Sequence, residues 1–81
     1  MAERITQEIL KQQAFILSRM TGLLLYVGYE NGHAHLFEHV ETSGRRTISY
    51  GNTKRELSKQ MSTAIEIVTL MQDRKKGEKN E

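Results

Sequence analysis

The sequence predicts an α+β fold in which two helices cover one face of a three-stranded antiparallel sheet, in the order α-β-β-β-α. Apolar residues recur at helical spacing toward both ends of the chain, whereas the central stretch alternates between apolar and polar residues as strands do. Asn31-Gly32 interrupts that stretch and is typical of a two-residue β-hairpin turn. We expect one compact domain over residues 1–72, and its small core favours a homo-oligomer.

The first helix is predicted over residues 2–20, because its apolar residues fall on one arc at about 100° per residue. Phe15 points away from this arc, either to cover a neighbouring loop or to contact a partner. Thr21-Gly22 ends the helix, since glycine readily takes the left-handed conformation that is common after a helix. The residues of the predicted arc are Ile5, Ile9, Leu10, Ile16, Leu17 and Met20.

The Asn31-Gly32 turn joins predicted strands over residues 23–30 and 33–40. A two-residue turn pairs Glu30 with His33 and places Tyr26 opposite Phe37. Because side chains alternate between the two faces of a strand, one face lies under the helices and the other points outward. The predicted inner face carries Leu23, Leu25, Val27, Tyr29, Ala34, Leu36, Glu38 and Val40. The predicted outer face carries Leu24, Tyr26, Glu30, His33, His35, Phe37 and His39.

The third strand is predicted over residues 45–50, after a turn at residues 41–44. A three-residue loop with Gly44 as its bulge places Ile48 and Tyr50 in the core and Arg45 outward. A four-residue loop reverses these faces and sets Ile48 beside Phe37. We favour the first loop because it leaves the smaller exposed apolar patch.

The second helix is predicted over residues 54–72, and Thr53 with Glu56 forms a capping box at its start. Ile67 and Leu70 widen its apolar stripe toward the C-terminal end, which indicates either deep burial or contact with a second subunit. Residues 73–81 contain no apolar side chain and are predicted to be a disordered, charged tail. The predicted core stripe consists of Leu57, Met61, Ala64, Ile65, Val68 and Met71.

Positive charge is concentrated between residues 45 and 59, where five basic residues against one glutamate give a net charge of +4. Lys54 and Arg55 occupy the first helical turn, where cations are disfavoured by the helix dipole unless an anion such as phosphate binds there. The alternative is that these long side chains extend into water. The candidate nucleic-acid-binding residues are Arg45, Arg46, Lys54, Arg55 and Lys59.

Catalytic, metal and cofactor sites find little support in the sequence, so we expect a non-enzymatic protein that binds no cofactor and no small-molecule substrate. The chain has no cysteine, which fits a reducing cytoplasm. We expect no signal peptide, and the sequence contains no apolar run near the about 18 residues that a membrane span needs. His33 and His35 share a strand face, yet a third ligand for zinc is missing nearby, so we interpret them as solvent-facing.

The predicted outer sheet face combines aromatic and histidine side chains. Such a face can stack on nucleobases or form a dimer interface, or it can simply cover a half-hydrated sheet. With the outward phenylalanine of the first helix and the apolar end of the second, it provides the candidate interface residues. These are Phe15, Tyr26, Phe37, Ile67 and Leu70.

The element order and three local features resemble those of double-stranded RNA-binding domains. The local features are Gly32-His33 at the hairpin, Phe37 on the next strand, and the start of the last helix at Thr53-Lys54-Arg55-Glu56. That family holds phosphates with basic residues at the start of its last helix, which implies this role for Lys54, Arg55 and, at a displaced position, Lys59. The chain lacks the family's proline beside the hairpin glycine and carries bulkier residues along the second helix.

Two functions follow from these patterns. The first is a small nucleic-acid-binding module whose basic strand-turn-helix edge holds the phosphate backbone. The second is a dimeric protein-interaction module that regulates or inhibits another protein, as a phage-borne regulator or inhibitor would.

Overall fold

The computed structural model of the chain describes residues 4–79, with side chains over residues 4–75. The elements follow the predicted order α-β-β-β-α, and the three strands form one antiparallel sheet in the order β1-β2-β3. The predicted α+β fold class is therefore confirmed. The elements are α1 Gln7–Thr21, β1 Leu25–Glu30, β2 His33–Val40, β3 Gly44–Asn52 and α2 Lys54–Lys79.

Helix α1 has a defined cap at each end. The Thr6 hydroxyl accepts a hydrogen bond from the Ile9 N–H at 3.3 Å, so the helix begins at Gln7 and not at the predicted residue 2. Residues 1–3 lie outside the described part of the chain. Gly22 takes the predicted left-handed conformation, with φ 76°, and its N–H donates to the Ser18 carbonyl.

The Asn31-Gly32 turn forms as predicted, with positive φ at both residues. The register pairs Glu30 with His33 and Tyr26 with Phe37, which also confirms the prediction. Strand β1 begins at Leu25, two residues later than predicted. Leu23 precedes it and is exposed.

Strand β3 differs from the prediction because it contains two irregularities in its pairing with β2. Thr47 pairs with Phe37 and Ser49 pairs with Leu36, so Ile48 is an extra residue between two rungs of the ladder. This bulge changes which side chains face the helices. Ile48 and Tyr50 are exposed instead of buried, whereas Arg45 points outward as predicted.

Helix α2 begins with the predicted capping box. The Thr53 N–H donates to the Glu56 carboxylate at 2.8 Å, and the Glu56 N–H donates to the Thr53 hydroxyl at 3.1 Å. The helix continues to Lys79, so its predicted end at residue 72 is corrected, and residues 73–79 of the predicted tail belong to this helix. Residues 80 and 81 of the predicted tail lie outside the described part of the chain.

The hydrophobic core lies between the helices and the inner face of the sheet, and Leu10 and Leu57 are its most completely buried members. The predicted inner strand residues Leu25, Val27, Ala34 and Leu36 all pack there. Ile16 and Met71, which the helical arcs place in the core, are exposed instead. The buried residues of the core cluster are Leu10, Ala14, Leu17, Ala34, Leu36, Leu57 and Met61.

The two helices lie side by side and run in the same direction. The Gln13 amide contacts Ser58 and Ser62 near the start of α2, and the Gln72 amide donates to the Met20 carbonyl at the other end. Two helices on one side of a single sheet make a thin molecule of 51 × 43 × 17 Å. Neither helix, over residues 4–79, is long and apolar enough to cross a membrane.

Candidate interaction surfaces

The outer sheet face is closed over by its own side chains. The Phe37 ring is only 2% exposed, because it packs on the Cα of Gly28 and is covered by the Arg45 guanidinium at 4.3 Å from the ring centroid. The Tyr26 ring lies 5.5 Å from the Phe37 ring, measured between centroids, and Tyr26 is 39% exposed. Phe37 therefore lies on the outer face as predicted, but its ring is buried and offers little surface to a base or a partner.

His35 is buried as well, although the sequence predicts it as solvent-facing. Its ring is 1% exposed and stacks on Tyr50 with centroids 4.2 Å apart. Nδ1 accepts a hydrogen bond from the Gly51 N–H at 2.9 Å. His33 is exposed and its Nδ1 lies 3.0 Å from the Asn31 carbonyl. Among the described residues, no group of three histidine, cysteine or acidic side chains could hold a metal ion.

The five candidate phosphate-binding residues fall into two groups at opposite ends of β3, separated by about 25 Å of strand. Arg45 covers the Phe37 ring and lies 3.6 Å from the Glu30 carboxylate. Arg46 is paired in register with Glu38, which lies on the inner face of the sheet. The structure thus does not bring these two arginines together with the three cations of α2.

The second group, Lys54, Arg55 and Lys59, lies on exposed positions of the first two turns of α2. Glu56 lies among them and completes the capping box. The hydrogen bond from the Thr53 backbone N–H, followed by that with the Thr53 side chain, lowers the pKa of this carboxyl. Its negative charge at neutral pH offsets one of the three positive charges.

An apolar stripe lies on the exposed surface of α2 in its C-terminal half. We call it the α2 stripe; it consists of Ile67, Leu70 and Met71, which are 52%, 56% and 64% exposed. At 100° per residue Ile67 points opposite to Ser58, which contacts α1, so Ile67 faces away from the other helix. Beside it lies a shallow groove of about 500 Å³ lined by Thr21, Val68, Met71, Gln72, Arg74 and Lys75.

A second groove of about 510 Å³ separates α1 from β1, the strand at one edge of the sheet. Phe15 forms part of its wall and is 62% exposed, in agreement with its predicted outward direction. The Arg19 guanidinium lies 5.8 Å from the centroid of this ring. Tyr29 lines the floor, where partial burial raises the pKa of its hydroxyl.

The sequence predicts Phe15, Ile67 and Leu70 as candidate interface residues, and all three are exposed. The helical spacing of Met71 assigns that residue to the core, and no local pattern indicates the open edge of β1, because it depends on the order of strands in the sheet. Comparison of the chain with protein-family models, with curated proteins and with solved structures gives no match in any of the three.

Proposed function

We propose that the chain is a non-enzymatic protein-interaction module that binds a helical segment of another protein through the α2 stripe. The observation that carries this proposal is the exposure of three large apolar side chains, Ile67, Leu70 and Met71, side by side on one helix. Single exposed apolar residues are common on protein surfaces, whereas a contiguous group is typical of an interaction site. Spacings of three and four residues match the way a helix presents anchors to a partner helix.

The charges beside the α2 stripe indicate the chemistry of the partner. Arg74 and Lys75 border the groove next to Met71. An amphipathic helix with apolar residues on one face and acidic residues at its rim would match both features. The apolar anchors supply most of the binding free energy, and the charged rim favours the correct orientation.

Capture experiments with matched variants test this function. Ile67→Gln/Leu70→Gln removes two anchors from exposed positions, and Leu24→Gln removes an equally exposed apolar side chain from the start of the sheet. We expect wild type and Leu24→Gln to capture the same protein from a cell extract, and the double variant to lose it. The captured protein is then purified and its affinity is measured by calorimetry.

A loss of at least about 30-fold in affinity is expected for the double variant, since two buried anchors each contribute more than about 1 kcal/mol. Circular dichroism should show the same helix content in all three proteins, because none of the three substituted positions contributes to the core. Equal affinity of the double variant and wild type would contradict the proposal.

Phosphate-backbone binding is the second candidate function, and it rests on the exposed group of Lys54, Arg55 and Lys59 at the start of α2. The structure gives it less support than the first candidate. Arg45 is engaged with Phe37 and Glu30, Arg46 is remote, and Glu56 lies within the group. Three cations would neutralise about three phosphates, which predicts weak and strongly salt-dependent binding.

Lys54→Glu/Arg55→Glu separates this function from general damage to the fold. The exchange should abolish binding to a duplex RNA or DNA, measured by fluorescence anisotropy at about 50 mM salt, where counterion release is strongest. It should also raise the free energy of unfolding by about 0.3–1 kcal/mol for each residue, because acidic side chains suit a helix N-terminus. Absence of wild-type binding at this salt concentration would remove the candidate.

A further inference from the structure

The hydrogen-bond pattern of β1 identifies which of its backbone groups face the open edge of the sheet. The His39 N–H donates to the Leu24 carbonyl at 2.8 Å, so these two residues form a hydrogen-bonded pair of the ladder. Bonded and non-bonded pairs alternate in an antiparallel ladder. Tyr26, Gly28 and Glu30 therefore direct their backbone groups toward β2. Leu25, Val27 and Tyr29 direct theirs away from the sheet.

Ser18 of α1 occupies the first of these three outward positions. The Leu25 N–H donates to the Ser18 hydroxyl at 3.0 Å, and that hydroxyl donates to the Leu25 carbonyl at 3.2 Å. One side chain thus satisfies both backbone groups of Leu25. Within residues 4–79, no strand lies on the outer side of β1. The backbone N–H and carbonyl groups of Val27 and Tyr29 therefore point into the groove between α1 and β1.

The two edges of the sheet are protected to different degrees. Strand β3 has two irregularities in its ladder and carries Arg45 and Arg46, features that discourage pairing with another strand. Strand β1 has an uninterrupted register and contains no proline, lysine or arginine. An apolar, regular edge of this kind is a template for strand addition.

We propose that β1 pairs with β1 of a second copy of this chain in an antiparallel arrangement about a twofold axis. This surface is distinct from the α2 stripe, so the inference goes beyond the proposed function. Only one register uses both open residues and avoids the position occupied by Ser18. In that register Val27 of each copy exchanges two hydrogen bonds with Tyr29 of the other, and Gly28 faces Gly28 of the second copy across the axis.

The residues near this axis are self-complementary, which is why we assign the edge to a second copy and not to a foreign peptide. Opposed residues in a non-bonded pair approach to about 4.5 Å between Cα atoms, and glycine on both sides adds no side chain there. The helix wall of the groove carries one acid and one base, Glu8 and Lys11. A twofold axis reverses the direction of α1 between copies, so each Glu8 can pair with Lys11 of the other.

Amide hydrogen exchange at two protein concentrations tests the proposal, with light scattering to give the mass. We expect a dimer mass in the high micromolar to millimolar range, where the Val27 and Tyr29 amides exchange slowly. After dilution to monomer these two amides should exchange rapidly. The Tyr26 and Gly28 amides bond to β2 and should stay slow at both concentrations, which provides the internal control.

Tyr29→Pro and Tyr29→Ala form a matched pair for the same surface. Both remove the tyrosine ring, but only proline removes the edge N–H, which β2 does not use. We expect Tyr29→Pro to be monomeric at a concentration where Tyr29→Ala still dimerises. Rapid exchange of Val27 and Tyr29 in a wild-type dimer would overturn the proposal, and so would a monomer mass throughout the concentration range. The wild-type exchange result stands even where the proline variant unfolds.

Discussion

Alternation of side chains along a strand predicts which face of the sheet a residue lies on, but not how deeply that residue is buried. Phe37 lies on the predicted outer face, opposite Tyr26, yet its ring is buried. The guanidinium of Arg45, eight residues later in the chain, covers the Phe37 ring. The ring fits there because Gly28 has no side chain. Such non-local contacts leave no periodic signal in the sequence, so the candidate interface at Phe37 could not be distinguished from an interior residue.

Phe37→Ala should therefore destabilise the isolated molecule. Loss of a buried phenylalanine typically costs about 3–5 kcal/mol, because it removes apolar contacts and leaves a cavity. Chemical denaturation at a dilute, monomeric concentration measures the change in the free energy of unfolding. Tyr26→Ala, on the same face but partly exposed, is the control and should cost less than about 2 kcal/mol. Equal costs for the two variants would contradict the burial of Phe37.

The capping carboxylate gives the second prediction for a single residue. The folded-state pKa of Glu56 lies below its unfolded value, so its ionised form stabilises the fold above the unfolded pKa. This contribution is lost as the pH falls through the lowered folded pKa. Wild type should be more stable than Glu56→Gln at pH 7, and the difference should shrink to near zero under strongly acidic conditions. A stability difference that does not change with pH would exclude this role.

At the level of helices and strands, local signals predict the boundaries where a turn or cap is encoded nearby. The Asn31-Gly32 turn, the Gly22 cap and the Thr53–Glu56 capping box all occur as predicted. Strand β3 is the exception, because its pairing with β2 contains an extra residue at Ile48 that its own turn does not encode. The length of α2 also escaped prediction, since polar residues 73–79 continue the helix without an apolar stripe.

The link between α1 and β1 provides a test at this scale. Ser18→Ala leaves the Leu25 N–H and carbonyl without their partner, which should cost about 1–3 kcal/mol of unfolding free energy. Ser62→Ala, which removes one exposed contact with Gln13, should cost no more than about 1 kcal/mol. Thermal or chemical denaturation of the two variants compares these values. If Ser18→Ala left the free energy of unfolding unchanged, water would be replacing the hydroxyl at the edge of β1.

For the whole molecule, the thin two-layer arrangement explains why so much apolar surface stays exposed. A single sheet with two helices on one side leaves the outer face, the β1 edge and the distal half of α2 without a covering layer. The outer face is closed by Phe37, His35 and their neighbours. Among residues 4–79, nothing covers the α2 stripe or the edge of β1 beyond Leu25. Sequence periodicity can predict the α2 stripe because the stripe lies on one helix. Prediction of the open edge of β1 requires knowledge of the strand order.

We propose that the α2 stripe binds another protein and that self-association uses a different surface. Light scattering of Ile67→Gln/Leu70→Gln, mixed with the partner captured by wild type, separates the two surfaces. We predict that the variant keeps the mass of the wild-type assembly and gains no mass from the partner, whereas wild type gains it. A variant that forms the complex as wild type does would contradict the claim, and so would one that dissociates into monomers.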